Sequence, residues 1–424
     1  MSSRLGLTFF ACVSLAAPCV AGDWTQFRGP GGLGTSQETS VPTRWSGTQN
    51  IAWKAKLPGA GTSSPIIVGD KIFLTCYSGY GLTEKRPGQM SELKRHVVCL
   101  QRGTGEIVWN KVFDPKLPES GYSGGNNMRH GYASSTIASD GKRLYVFLGK
   151  TGVYCLSLTG DQFWHSTVGS NTRGWGSANS PLLCQGLVII NASVESRSLV
   201  ALDAQTGAET WRADGMHLSW NTPALVEVPG GDTELVVSVQ GWLLGFEPAS
   251  GKELWRCNGV PTYACPSVIS HDGVVFVTGG RGIQYTFAVR AGGHGDVSET
   301  HELWRVGKGS NVSSPIYHNG HLYLASDRRG IAYCFDARDG KIVYQERMRP
   351  TPGVIYASPL LAGGNLYYPS QYGGTFVVAA QPQYKLVAHN AMGDDDPRTN
   401  ACPVAHDGQL LIRNDGFLVC IGKK

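Results

Sequence analysis

The stretch ALDAQTGAETW, residues 201–211, decides the fold, because close copies of it recur along the chain. The phrase returns as GFEPASGKELW at 245–255, as CLQRGTGEIVW at 99–109, and in weaker form as CFDARDGKIVY at 334–344. Each copy has an apolar run, a polar turn that contains Gly, and a second apolar run that ends in an aromatic residue. Such self-similarity at a regular period predicts a repeat architecture.

A second motif, a small residue followed by Pro, marks the start of each copy about every 40 to 50 residues. It occurs at Ser64-Pro65, Ser180-Pro181, Thr222-Pro223, Cys265-Pro266, Ser314-Pro315, Ser358-Pro359 and Cys402-Pro403, and at Ser135-Thr136 the Pro is replaced. Within one copy, residues 314–347 contain four β runs separated by Asn-Gly, Arg-Gly and Asp-Gly turns, which favour hairpins. Eight copies of four antiparallel strands predict an all-β, eight-bladed β-propeller.

The two ends of the chain predict how the ring closes. The last copy stops after its third strand, GFLVCIGKK, whereas NIAWKAKLPG at 50–59 is a fourth-strand phrase without a copy of its own. The N-terminal strand with Trp53 is therefore expected to complete the last blade, which removes an open sheet edge. The fourth-strand positions are expected to dock one blade on the next through large apolar rings: Trp53, Trp109, Trp164, Trp211, Trp255 and Trp304, followed by Tyr344 and a degenerate Val387.

Composition and the N-terminus limit the class of protein. The 424 residues include 56 Gly, and the formal charge of +5 comes without a dense basic cluster, so nucleic acid is not expected as a partner. Arg4 and the apolar run 5–17 predict a signal peptide over 1–22, cleaved near Ala21 or Gly22. Pro18 argues against lipidation of Cys19. The mature protein is expected to be periplasmic or secreted and not membrane-spanning, with a lead-in at 23–50 and the propeller at 51–424.

These motifs, together with SSPII, NSPLL and SSPIY, resemble the pyrroloquinoline quinone (PQQ) repeat family of bacterial quinoprotein-type propellers over roughly residues 50–424. The early DWTQFRGP at 23–30 is similar to the start of secreted members of unassigned function. The resemblance implies one of two activities. Some members oxidise alcohols or aldoses with PQQ and calcium, whereas BamB-type outer-membrane assembly factors use an eight-bladed ring as a protein-binding scaffold.

The chain lacks the adjacent Cys pair of several PQQ alcohol dehydrogenases and a Cys-x-x-Cys-His haem motif. We therefore predict a monomeric ring that binds a protein or a cell-envelope component without chemistry, and no firm cofactor. A PQQ- and calcium-dependent dehydrogenase is the alternative, and carbohydrate binding by exposed aromatic residues is a third hypothesis.

The cysteines follow the repeat more than any metal pattern. Cys99, Cys155, Cys334 and Cys420 share a small third-strand position that other copies fill with Ala201, Gly245, Ala288 and Ala379. Cys265 and Cys402 are assigned to the position of the small residue before Pro, and Cys257 could pair with Cys265 across a loop. Zinc is not expected, because Cys-x-x-Cys spacing is absent from the sequence.

A binding site is predicted at the channel mouth, where the loops that enter the first strands and the connections between second and third strands converge. Two of these loops, 78–95 and 114–132, are enlarged. Arginines there could pair with carboxylates and aromatic rings could stack on a ligand. His130 could act as a general base, and the acidic run 394–396 could hold calcium, although a solvated rim explains both. The candidate residues are Asn126, Asn127, Arg129, His130, Arg173, Trp175, Trp220, Trp242, Arg281, Arg328 and Tyr372.

Overall fold

The computed structural model describes residues 22–122, 129–393 and 396–423, and within these ranges eight antiparallel sheets form the blades of a propeller. Each blade has four antiparallel strands, in chain order except in blade 8, and blade 4 has a short fifth strand that pairs parallel at its outer edge. The predicted eight-bladed β-propeller is therefore confirmed. The signal peptide predicted at 1–22 lies outside the described residues except for Gly22.

The strands of the first four blades have the following bounds: Ile66–Val68, Lys71–Ser78, Lys94–Gln101 and Ile107–Phe113 in blade 1; Ala138–Ser139, Arg143–Phe147, Val153–Ser157 and Gln162–Ser166 in blade 2; Leu182–Cys184, Leu187–Ala192, Ser198–Asp203 and Glu209–Asp214 in blade 3; Ala224–Glu227, Thr233–Val239, Trp242–Phe246, Glu253–Asn258 and the fifth strand Gly295–Asp296 in blade 4.

The remaining blades and the short helices have these bounds: Ile269–His271, Val274–Gly279, Tyr285–Arg290 and Glu302–Val306 in blade 5; Ile316–His318, His321–Ala325, Ile331–Asp336 and Ile342–Arg347 in blade 6; Leu360–Ala362, Asn365–Pro369, Thr375–Ala379 and Leu386–Asn390 in blade 7; Val404–His406, Gln409–Arg413, Phe417–Ile421 and Ile51–Lys56 in blade 8; 3-10 turns at Pro30–Gly32, Met90–Glu92 and Gly149–Thr151, and an α-helical turn at Ser298–His301.

The ring closes through its two ends, as predicted. Strand Ile51–Lys56 pairs antiparallel with Phe417–Ile421 and places Trp53 opposite Cys420. Blade 8 is thus built from the last three strands of the chain and the first one. This pairing leaves no open edge between the ends of the propeller.

A small third-strand residue lies opposite the fourth-strand aromatic residue in most blades, as in the pairs Cys99 with Trp109 and Ala201 with Trp211. The register shifts by one residue directly after each such pair, which is a β-bulge. Blade 7 differs from the sequence alignment. The alignment assigned Ala379 and Val387 to this pair, but in the structure Val377 lies opposite Ala388. This blade has no Trp, so the alignment there had no aromatic residue to fix its register.

The repeated phrase joins each blade to the next. In blade 2 the indole Nε1 of Trp164 donates to the carbonyl of Ala204 in blade 3, at 3.1 Å. A Cβ placed on Gly207 of the same turn would lie 2.6 Å from the Trp164 ring, so only Gly permits the contact. Equivalent Nε1 bonds are made by Trp53, Trp109, Trp211 and Trp304.

Trp255 makes a different contact. Its Nε1 donates to the carboxylate of Glu234 in its own blade, at 2.7 Å. The turn that would receive it in blade 5 is replaced by a longer connection, which includes the extra strand Gly295–Asp296 and the helical turn Ser298–His301. An insertion in one blade therefore changes how the preceding Trp is held.

An inner ring of small residues lines the channel and also links the blades. The backbone N–H of Ser64 donates to Thr136 Oγ1 and that of Thr136 donates to Ser180 Oγ, both at 2.9 Å. Seven such bonds run around the channel, and the inner ring consists of Ser64, Thr136, Ser180, Thr222, Ser267, Ser314, Ser358 and Cys402.

The alignment of Cys265 with this inner ring was wrong. Ser267 accepts the N–H of Thr222 at 3.1 Å, and its own N–H donates to Ser314 Oγ at 3.0 Å. The sequence Cys265-Pro266-Ser267 offers two small residues, and the one before Pro was the wrong choice. Cys257 and Cys265 are both free thiols in the structure, so the suggested pairing between them is absent.

The segment before the propeller crosses one end of the channel. Trp24 forms a β-bridge with Ile67 of blade 1, and Thr35 forms another with Leu361 of blade 7. Between them the fully buried Arg28 donates to the carbonyls of Leu33 and of Pro315 in blade 6, at 2.9 and 2.6 Å. Residues 24–35 therefore lie across the channel from blade 1 to blade 7.

Candidate functional site

The channel forms a cavity that is open at the mouth, where the second-to-third-strand connections lie. Phe27 from the crossing segment and inner-ring residues such as Ser64 and Thr222 line its deep end. The cavity encloses about 1110 Å³, including the space in its open mouth. We call this cavity the cup, since residues 24–35 lie across the end opposite its mouth.

Eight wall residues of the cup occupy one repeat position, two residues before each member of the inner ring. They are Thr62, Ser134, Ala178, Trp220, Cys265, Val312, Tyr356 and Asn400. The strand geometry repeats in every blade, so this position faces the channel each time. The repeat in the sequence contained this signal, but the candidate residues included Trp220 alone of these eight.

Aromatic rings cover one side of the cup. Trp220 stacks on Tyr263 with ring centroids 5.8 Å apart and 25° between the planes, and Trp175 meets Tyr263 edge-on at 6.3 Å. The Nε1 of Trp220 donates to the carbonyl of Gly176 at 3.0 Å, which holds the two connections together. The result is a rigid apolar wall formed by the connections that lead into blades 3, 4 and 5.

Three arginines add positive charge to the cup. Arg129 contacts the hydroxyl of Tyr356 at 3.3 Å, and its guanidinium lies 5.9 Å from the centre of the Trp175 ring. Arg281 lies 5.3 Å from the Tyr263 ring centre. Arg328 is exposed at the rim. Asp and Glu are absent from the described residues that line the cup, but the buried Asp327 lies 3.9 Å from Arg328 and offsets part of its charge, so the positive charge of the cup comes mainly from Arg129 and Arg281.

His130 is stacked parallel to Trp175, with ring centroids 6.1 Å apart, and its Nδ1 lies 2.7 Å from Ser134 Oγ. Burial and the nearby Arg398 lower the pKa of His130 to about 4. The imidazole is therefore neutral at pH 7 and adds no charge to the cup. Its role as a general base stays an untested hypothesis.

The structure brings six of the predicted candidates together and separates the others. The cup is lined by Arg129, His130, Trp175, Trp220, Arg281 and Arg328. Tyr372 lies in a second depression that also includes Arg129, and Arg173 is exposed and does not line the cup. Trp242 lies in a different cleft, under Arg256 at 5.5 Å. Asn126 and Asn127 lie outside the described residues.

The chemistry of the cup does not fit a calcium-bound quinone. Its arginines and rings suit the carboxylates and the plane of PQQ, but calcium needs several oxygen ligands, usually including carboxylates. The described lining offers only hydroxyl and amide oxygens, and the described chain contains no cluster of three His, Cys, Asp or Glu side chains suited to a metal. Asp415, which is near the mouth, forms an ion pair with Arg398 at 2.9 Å.

The acidic run proposed as a calcium loop is described only at Asp396. Its carboxylate accepts a hydrogen bond from Asn414 Nδ2 at 2.8 Å, and burial raises the pKa of Asp396. Asp394 and Asp395 lie outside the described residues. In addition, none of the helices in the described ranges is long and apolar enough to cross a bilayer.

Comparison with known proteins places this propeller among its relatives. The family profile described as "Outer membrane protein assembly factor BamB" matches residues 93–346. The outer membrane protein assembly factor BamB of Burkholderia pseudomallei (strain K96243) is 25% identical over 383 residues, which cover 76% of this chain and 86% of that protein.

Solved structures share the fold at low identity. The crystal structure of BamB from Moraxella catarrhalis superimposes with a TM-score of 0.56 and 11% identity, over 88% of this chain and 98% of the other. The quinohemoprotein alcohol dehydrogenase ADHIIG from Pseudomonas putida HK5 gives 0.60 and 12%, over 95% and 81%. These likenesses concern the fold alone, whereas the profile spans more than half of the chain. The chain belongs to the family of the outer membrane protein assembly factor BamB.

Proposed function

We propose that this protein is a non-catalytic scaffold of the cell envelope, periplasmic or secreted, that binds a partner protein at the mouth of its channel. Membership of the BamB family supports this proposal, because the matched relative is named an outer-membrane assembly factor. The cup supports it as well, since its described lining has no carboxylate to act as the base of an alcohol dehydrogenase.

The observation that supports the proposal most strongly is a set of exposed apolar side chains around the cup. Leu82, Ile283 and Tyr372 are 49%, 65% and 71% exposed, and each lies in a connection between a second and a third strand. These connections belong to blades 1, 5 and 7 and therefore surround the mouth. Exposed apolar groups around a concave site are typical of protein-binding surfaces.

The described parts of the enlarged loops beside blade 1 are held by contacts among their own side chains, so this part of the surface is preorganised. Tyr80 accepts the N–H of Tyr122 at 3.0 Å and packs against Tyr132, with ring centroids 5.8 Å apart. Below them a buried ion pair joins Arg95 to Glu119 at 2.5 Å. A rigid surface loses little conformational entropy on binding, which favours affinity.

The test compares the mouth with the outer strands. The double variant Ile283→Asp with Tyr372→Ala is immobilised beside the wild type and a matched control, Phe163→Asp with Val108→Ala, in which exposed apolar side chains on outer strands are replaced. Envelope proteins bound to each are quantified by mass spectrometry. We expect the mouth variant to lose a defined partner by at least about tenfold, while the control retains it.

Two outcomes would contradict the proposal. Equal loss in both variants would show that the mouth is not the binding surface. Oxidation of alcohols by the purified protein in the presence of PQQ and calcium, abolished by Trp220→Ala, would indicate the dehydrogenase instead. Thermal unfolding of each variant checks that the changes leave the propeller folded.

A further inference from the structure

We infer that the cup binds a carboxylate on an acidic segment of the partner polypeptide. This inference rests on the proposed function and specifies its chemistry: the apolar rim docks the partner, and the cup receives one of its negatively charged groups. Three features of the cup point to such a ligand: the charge of its wall, the closed end of the channel, and wall atoms whose hydrogen bonds are not made.

The charge of the wall selects an anion. Within the described residues Arg129 and Arg281 have no carboxylate within ion-pair distance, and their polar side-chain contacts are with the hydroxyls of Tyr356 and Tyr263, at 3.3 and 3.4 Å. A guanidinium has five N–H donors in a planar fork that matches a carboxylate. Most donors of the two arginines are therefore available to a ligand, between apolar walls that strengthen the attraction.

The wall holds these arginines before a ligand arrives. Asn400 Nδ2 donates to the backbone carbonyl of Arg129 at 2.9 Å, and the ring of Trp175 lies beside the Arg129 guanidinium. The backbone N–H of Arg281 donates to Thr262 Oγ1 at 2.8 Å. These contacts fix the backbone of both arginines and the position of the Arg129 guanidinium, so binding a carboxylate requires little further ordering of the backbone there.

The closed end limits what can enter. Residues 24–35 cross the channel, and Phe27 lines its deep end, so a polypeptide cannot pass through the ring from face to face. A segment that enters from the mouth must present either its terminus or the tip of a turn. Both can bring a carboxylate to the arginines, as the terminal α-carboxylate or as an Asp or Glu side chain.

The wall also offers partners for a peptide group. Within the described residues, Trp175 Nε1 is a buried donor without an acceptor, and Asn311 Oδ1 is a buried acceptor without a donor, and both residues line the cup. A peptide unit brings one C=O and one N–H. Both atoms are covered in the structure, so each side chain has to turn toward the cup to meet a ligand. A polypeptide then supplies both kinds of partner, whereas a simple inorganic anion supplies no N–H donor.

The experiment uses the full mature chain, immobilised, and three degenerate pools of acetylated hexapeptides. One pool has a free α-carboxylate and no acidic side chains, one is amidated with Asp or Glu at two central positions, and one is amidated with Asn or Gln there. Retained peptides are counted by mass spectrometry. We expect at least one acidic pool to be retained about tenfold more than the neutral pool, and the preferred pool identifies the source of the carboxylate.

Variants assign the effect to the cup. Arg129→Gln and Arg281→Gln should each reduce retention of the preferred pool by about tenfold. The matched control is Arg256→Gln, because Arg256 also lies over an aromatic ring, Trp242, but in a cleft outside the cup. Arg256→Gln should leave retention unchanged, and thermal unfolding checks that all three variants fold.

The outcomes separate this inference from the proposed function. Equal retention of all three pools, or a preference that survives both cup variants, overturns the inference about the carboxylate. If the envelope partner is still lost on changing Ile283 and Tyr372, the scaffold proposal stands without it. If neither the peptides nor the envelope partner depend on the mouth, both proposals fail.

Discussion

The two ends of the channel hold buried charges in opposite ways. At the closed end Arg28 donates to three backbone carbonyls, those of Gly32, Leu33 and Pro315. At the open end Glu195 is buried. Its Oε1 accepts a hydrogen bond from the hydroxyl of Ser177, while its Oε2 has no partner within the described chain. Burial lowers the pKa of Arg28 to about 10, which still leaves it charged, and raises the pKa of Glu195 to about 7.

The closed end is structural, whereas the open end is the one that we propose binds a partner. At the closed end a buried cation is held by three backbone carbonyls, and here too two groups, Arg28 Nη1 and Trp24 Nε1, lack partners within the described residues. Around the open end, polar groups such as Trp175 Nε1 and Asn311 Oδ1 lack partners within the described residues, and apolar side chains are exposed. Unsatisfied and exposed groups of this kind reduce stability and are common at sites that bind a ligand.

The largest effect is expected at the closed end. Arg28→Ala removes a buried side chain and leaves three carbonyls without their donor, so the free energy of unfolding should fall by about 4 kcal/mol. Urea denaturation measures it. The control is Arg338→Ala, whose exposed pair with Asp336 should contribute less than about 1 kcal/mol. A loss for Arg28→Ala as small as the control would mean that the crossing segment is not part of the folded core.

At the open end, Glu195→Gln should change how stability depends on pH. The folded-state pKa of Glu195 is raised to about 7, above the ordinary value of 4.5, so the folded protein retains a proton that the unfolded chain releases between pH 4.5 and 7. The stabilisation is complete below pH 4.5 and is lost as pH rises through 7. From pH 4 to 8 the wild type should lose about 3 kcal/mol relative to the variant.

Urea titrations of Glu195→Gln and the wild type across this pH range make the comparison, with the exposed Glu299→Gln as control. A constant difference between wild type and Glu195→Gln at all pH values would show that folding does not raise the pKa of Glu195. In that case the open end would contain a satisfied charge, and the contrast with Arg28 would disappear.

Substitutions at two glycines test the contact between neighbouring blades independently of the two ends of the channel. Gly207 and Gly186 have φ angles of 74° and 78°, but a Cβ on Gly207 would meet the Trp164 ring at 2.6 Å, whereas one on Gly186 would meet nothing within 4 Å. Gly186→Ala reports the cost of the backbone angle, about 1 kcal/mol. Gly207→Ala should cost about 2 kcal/mol more in thermal unfolding, and equal costs would show that Trp164 does not dock there.

The smallest effect concerns the inner ring. Ser267→Ala leaves the N–H of Thr222 without its acceptor and should lower the free energy of unfolding by about 1 to 2 kcal/mol. Cys265→Ala changes a wall residue of the cup and should have little effect. Chemical denaturation measures the loss of stability in both variants. A larger loss for Cys265→Ala would show that Cys265, and not Ser267, belongs to the inner ring.

The fold could be predicted from the sequence because each blade repeats the same local rules. Gly turns, the phrase that ends in Trp, and the unmatched strand at 51–56 together specify eight blades and their closure. The register failed where the repeat lost its Trp, at Val377 and Ala388, and where two small residues competed, at Cys265 and Ser267.

The site was harder to predict because it depends on which loops meet in space. Arg129, Trp175 and Arg281 were selected since they lie in mouth connections, and the structure brings them to one cavity. Trp242 follows the same rule but lies in another cleft, because a position at the start of a third strand can face away from the channel. The closed end, which converts the channel into a cup, had no signal beyond the phrase DWTQFRGP.

The most direct test of the account asks which end of the channel meets the partner. A photo-reactive phenylalanine analogue replaces either Ile283 at the mouth or Pro30, which is exposed in the crossing segment at the closed end. After irradiation with envelope proteins, adducts are identified by mass spectrometry. We predict a defined adduct from position 283 that disappears with Tyr372→Ala and is absent from position 30. A partner captured from position 30 and not from position 283 would contradict it.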